Sequence, residues 1–225
     1  MSAAQLRLLQ LVSPALPVGA FSYSEGLEVL VQSGRLADAA AVGAWLEAEL
    51  AHGLLALEAA ALGPLRAALA AWRDGRPDGE AAVADLDGWL LAQREAAEVR
   101  AQQRQMGRSL LQLLANLGWP LPRPGAELAW TGAWAWAGLC LELEPQALVE
   151  AYLYSWCANQ ISAAVRLVPL GPTEAQRLQL ALAPRLAERA LRLAGADPRT
   201  LHSGGIGAAL AQLNHGALYS RLFRS

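Results

Sequence analysis

The chain has 225 residues, of which 54% are hydrophobic and 17% charged, with a formal net charge of −2. That length can bury one sizeable core, and so small a charge argues against nucleic acid or an anionic membrane surface as a partner. All 18 basic residues are Arg, so a P-loop and Schiff-base chemistry, which both need Lys, are excluded.

Residues 3–12 (AAQLRLLQLV) predict a short amphipathic helix. In SPALPVGAFSYSEGLE, residues 13–28, Pro14 and Pro17 hold the chain extended and Gly19 permits a turn. Ser22 and Glu25 form an S-x-x-E capping box that predicts a helix through Val31, closed by Gly34. Asp38 caps the next helix, whose Val42, Trp45, Leu46, Leu50 and Leu54 share one broad face. Gly63–Pro64 is expected to interrupt it, with a second piece running to Trp72. After the loop RDGRPDG at 73–79, residues 80–117 read as one long helix, kinked at Gly88 or Gly107. Its middle, QREAAEVRAQQRQMGRS, is the most polar part of the chain and is expected to be a solvated face.

Residues 118–125 (GWPLPRPG) form a rigid loop, and Leu128 to Leu141 predicts a helix with Trp130 and Trp134 on one face. Pro145 suits the first turn of the longest apolar helix. Within it Ser155, Asn159, Ser162 and Arg166 follow at steps of four, three and four, a polar seam on one helical face. The seam is either ordinary satisfied polarity in a core, or it lies at a helix–helix or subunit contact or at a mouth where Arg166 meets a partner. Pro169 ends that helix. Thr173 and Gln176 predict a capping box for a helix to Leu193, with a kink or break at Pro184 and Gly195 at its end. Gly204, Gly205 and Gly207 open a last short helix to His215. No run predicts a strand. The class is all-α, a single compact domain of about eight to ten helices over 1–225.

Cys140 and Cys157 form neither a disulfide framework nor a CxxC pair and read as small core hydrophobes. The apolar uncharged runs Leu128–Leu141 and Ala151–Val165 fall short of the roughly 18 residues of a membrane span, so a soluble, cytoplasmic protein is expected. HExxH and GxSxG are missing. Glu49 and His52 make half the ligand set of a helical di-iron site, and no second Glu-x-x-His completes it. No catalytic residue, cofactor or metal ligand is expected. The residues point to an interaction protein rather than an enzyme. The alternative is a helical enzyme or small-ligand binder with its pocket beside the Ser155–Arg166 seam.

Four stretches resemble the UreF family of urease accessory proteins. In the first, Ser13, Leu16, Pro17, Gly19, Phe21, Ser24, Gly26, Leu27 and Glu28 fit S-x-x-LP-x-GxF-x-x-S-x-GLE. The second contains Arg94, Glu98, Arg100 and the run Arg104 to Arg108, with Ala96 and Ala97 departing. The third is NQISAAVRLVPLG, with Arg166 where the family has Lys. The fourth is the tail Tyr219 to Ser225, YSRLFRS, preceded by Gly216, Ala217 and Leu218 in place of a polar family stretch. The resemblance implies an all-α homodimer that bridges a scaffold, UreD (also called UreH), and the GTPase UreG, and that modulates GTP-dependent nickel insertion into apo-urease. It implies that residues 216–225 are a docking tail, with Tyr219, Ser220, Arg221, Leu222, Phe223, Arg224 and Ser225 on the scaffold side. It places Glu28, Arg94, Glu98 and Arg166 towards the GTPase, and Ser155, Asn159 and Ser162 at a dimer or tunnel seam.

Overall fold

A computed structural model of the chain describes residues 2–225. The described residues contain ten α-helices, three short 3₁₀ turns and no strand, in agreement with the all-α expectation. In order the helices are α1 (Ala3–Leu11), α2 (Leu27–Gln32), α3 (Ala39–His52), α4 (Leu55–Arg73), α5 (Gly79–Ala92), α6 (Ala97–Asn116), α7 (Trp130–Cys140), α8 (Pro145–Leu167), α9 (Pro172–Leu193) and α10 (Ile206–Asn214).

The core is built around α4, buried at every residue from Leu55 to Leu62 and packed by α5, α7 and α8. By length and composition α4 could cross a membrane, although most of it is covered here by other helices. In the sequence Glu58 and Arg66 interrupt its apolar run. Pro64 does not break it. A proline there has no N–H for the carbonyl one turn earlier, a loss of about 3 kcal/mol or more. Leu62, Leu65 and Leu69 are wholly buried around it, and their packing outweighs that loss. The break falls instead at Gly53–Leu54, between α3 and α4.

Residues 80–117 are two helices, divided at Gln93–Ala96 rather than kinked at Gly88 or Gly107. Arg100 Nη1 donates to the carbonyls of Arg94 and Glu95 (2.7 Å to the latter) and so holds the turn that sends Arg94 inward. Gly107 answers to packing: a side chain there would overlap the backbone of Leu128 and Ala129. From α5, buried Asp87 accepts the Ala129 N–H (3.0 Å) and caps α7, a role no residue local to α7 supplies. Burial pushes the Asp87 carboxyl up to about 6, against the pull of that backbone donor.

Asp38 caps α3 through the Ala41 N–H and Pro145 opens α8, both as predicted, and α8 stops two residues before Pro169. The helix α9 starts one residue before Thr173, with Glu174 reaching back to the Gly171 N–H (3.2 Å). It runs unbroken through Pro184, with Leu182 and Leu186 buried on either side.

The Ser22–Glu25 capping box does not form. Ser22 closes a 3₁₀ turn, Glu25 and Gly26 take left-handed backbone (φ 52° and 89°), and α2 begins at Leu27. That conformation at Glu25 costs on the order of 1 kcal/mol or more. It turns the Glu25 side chain into the interior, where it finds the partners described below. A side chain at Gly26 would collide with the backbone of Gln212 on α10.

Candidate functional site

Three polar regions meet beneath the segment Ser22–Glu28. The first is a buried knot centred on Arg94. Its guanidinium donates through Nε (3.0 Å) and Nη2 to Glu58 Oε1 and lies 4.0 Å from Glu25. The other Glu58 oxygen takes the Tyr152 hydroxyl (3.0 Å), which also pairs with Thr131 (3.0 Å). Burial works against the charge on Arg94, but Glu58 and Glu25 together hold its pKa above the ordinary value. Glu25 also receives Gln102 Nε2 (2.7 Å) and the Trp156 indole (3.1 Å). The expected solvated face of α6 thus turns Gln102 and Gln103 inward.

The second region is a clasp on the C-terminal tail. Glu28, 2% exposed, accepts the backbone N–H of Leu222 (2.7 Å) and of Phe223 (3.1 Å). Glu98 takes Arg221 (2.9 Å) on one oxygen and His215 Nδ1 (2.8 Å) on the other, while His215 Nε2 faces Glu28 (3.4 Å). The Ser225 carbonyl accepts from the backbone of Ser24 and Glu25 and from the Ser24 hydroxyl (2.8, 3.1 and 2.8 Å). Arg224 N–H donates to Ser22 (2.9 Å), and the Ser220 carbonyl accepts from Gln32. Phe223 is buried in the core beneath Arg166, whose guanidinium sits 4.4 Å from the ring centre and donates to the Phe21 carbonyl (3.1 Å). Tyr219 stands fully in solvent and Leu222 is half exposed.

The third region is a cavity of about 360 Å³ between α8 and the stretch leading into α2, with Ser155, Asn159 and Ser162 on one wall and Glu25 and Glu58 among its other lining groups. Three of the seam's four residues therefore line a hollow, and Arg166 lies outside its lining. Asn159 ties it to the body through the Tyr23 carbonyl (3.4 Å).

A profile of the UreF family matches residues 36–183. The urease accessory protein UreF of Alkalilimnicola ehrlichii is 41% identical over 225 residues, covering 99% of this chain and 96% of that protein. Those of Dechloromonas aromatica (42%, 97% and 96%) and Microcystis aeruginosa (40%, 98% and 97%) match at similar length. The chain belongs to the UreF family.

Of the residues singled out in this UreF chain, Glu28, Glu98 and Arg166 gather at the tail. Arg94 lies apart, in the knot, tied to the clasp through Gln102, which accepts the Ser225 hydroxyl and donates to Glu25. Buried Glu28 and Arg94 offer almost no surface in this conformation. Glu25, Glu58, Tyr152, Gln102 and His215 were not foreseen. Glu58 left a readable sign, as the one charge between Glu49 and Arg66. A lone charge in so apolar a run must be paired. Glu25 left none, because S-x-x-E is also a helix start. Among the described residues no cluster of three or more His, Cys, Asp or Glu is placed to hold a metal. Glu98 and Glu28 stand at the two different ring nitrogens of His215, Nδ1 and Nε2.

Proposed function

We propose that this UreF chain works in urease maturation as a bridge between the UreD/UreH scaffold and the GTPase UreG, modulating GTP-dependent nickel insertion into apo-urease. The observation that carries the scaffold end of this reading is the tail. It presents Tyr219 and Leu222 outward on a segment whose backbone is already held, and a preformed apolar contact loses less entropy on binding than a free peptide. Exposed aromatic residues of this kind make interface hot spots. Towards the GTPase, Arg166 and the half-exposed Glu98 supply charge at the surface, and buried Glu28 and Arg94 support it from beneath. The chain acts without catalysis of its own, in the cytoplasm, as a homodimer. Phe21 and Tyr154 are exposed at the cavity, and their apolar area is what a second copy would cover.

The test is assembly. The intact chain and one ending at His215, which removes 216–225, are mixed with UreD and then UreG, and masses are read by size exclusion with light scattering. Assembly of the intact chain alone is expected, and no complex with the intact chain overturns the reading.

A second reading has its own observation, the cavity beside the Ser155–Arg166 seam. Its size falls within the range of small-ligand sites. It expects the isolated chain to bind a small molecule with a change in Trp156 fluorescence, lost on Asn159→Leu. A ligand screen without such a change rejects it.

A further inference from the structure

We infer that Glu28 is a positioning residue for the tail: it straps residues 221–225 to the body so that Phe223 and Ser225 turn inward while Tyr219 and Leu222 form the outward face. This rests on the reading of the tail as the segment that docks the scaffold. Residues 218–225 have no helix to satisfy their backbone. One carboxylate instead meets two successive N–H groups, those of Leu222 and Phe223, and fixes both peptide planes. Such charge-assisted bonds are shorter and stronger than neutral ones. The neighbouring bonds go to the same short stretch: Arg224 to Ser22, and Ser225 to Ser24 and Glu25. His215, wholly buried between Glu28 and Glu98, anchors the root of the strap, and Glu98 holds Arg221 beside it. The tail's residues then divide by direction. Phe223 would act by filling the body's own core, and Tyr219, which touches little of its own chain, would act by touching a partner.

Trypsin reads the strap directly. The chain has no Lys, and the Arg221–Leu222 bond contains the N–H that Glu28 holds. In the full-length protein, Glu28→Gln is expected to speed cleavage after Arg221 and Arg224 on the order of tenfold, the scale of a lost charged hydrogen bond, and to weaken scaffold binding with it. Tyr219→Ala is expected to weaken scaffold binding with cleavage unchanged. Unchanged tail cleavage in a folded Glu28→Gln chain overturns the inference. So does a released tail that still binds the scaffold at wild-type strength. If deleting 216–225 also leaves scaffold binding intact, the failure belongs to the docking reading instead. Where Glu28→Gln lowers the melting temperature of the whole chain, Glu98→Gln, at a half-exposed site, reads the same release on a folded protein. No added cleavage there equally overturns the inference.

Discussion

The knot around Arg94 and the clasp around Glu28 use the same chemistry, a carboxylate receiving N–H donors, for different purposes. In the knot, side chains from α4, α8 and the α5–α6 turn meet each other, and Arg94 is 5% exposed. In the clasp, side chains receive the backbone of a segment without helix, with Tyr219 and Leu222 left outside. The knot therefore ties helices whose separation would unfold the domain. The clasp ties a strap that can leave while the helices stay. Both carboxylates are buried, so what separates the regions is what each one holds: Glu58 ties side chains of core helices, and Glu28 ties the backbone of a terminal segment.

The largest effect should come from cutting the knot. Arg94→Ala leaves Glu58 and Glu25 buried without their cation, a loss of roughly 3–5 kcal/mol. Against a typical total of about 5–15 kcal/mol, that is severe. Urea denaturation should show the drop, and a second change, Glu58→Leu, should recover part of it by removing the stranded charge. A loss below about 1 kcal/mol for Arg94→Ala would mean that water already reaches the knot, and the contrast with the clasp would fail.

The uneven legibility of the sequence follows the same line. Helix periodicity, Asp38, Pro145 and Pro169 were readable because each acts on its own neighbours. Pro64 and Pro184 misled because long-range packing overrode a local rule, and the α5–α6 break was hidden because Arg94, within it, turns inward to a partner on α4, Glu58. At the tail, Tyr219 to Ser225 stood out as a motif. Which of its residues face inward depends on Glu28, nearly two hundred residues earlier, and no spacing encodes that.

A smaller effect should appear with pH beside the knot. Glu49 borders two cavities beside Arg94, and burial, with Glu25 nearby, pushes its carboxyl up to about 7. A carboxyl whose pKa is raised on folding binds its proton more tightly in the folded chain. Its stabilising contribution is present below about 4.5 and is lost as pH rises through about 7. By pH 8 the loss is at most on the order of 3 kcal/mol, less for the part of the group that water reaches. Glu49→Gln should therefore gain stability relative to wild type as pH rises from 5 to 8. Parallel pH profiles for the two proteins would show that Glu49 is solvated and has no part in the knot.

The smallest effect on stability belongs to Arg166, on the outer side of the clasp. Its stacking on Phe223 is exposed, and cation–π contacts at such sites contribute about 0.5–1 kcal/mol. Arg166→Ala should lower the melting temperature little and raise tail cleavage only a few-fold, well short of Glu28→Gln. Arg166→Lys keeps a cation over the ring but not the planar fork that also reaches the Phe21 carbonyl, so it should lie between wild type and Ala. Urease activation in cells separates the two roles left for this side chain. If its charge meets a partner, Ala loses activation far beyond its effect on the tail while Lys retains it. If Ala activates urease as wild type does, Arg166 serves only to cover Phe223, and of the residues proposed to face the GTPase the partly exposed Glu98 is the next to test.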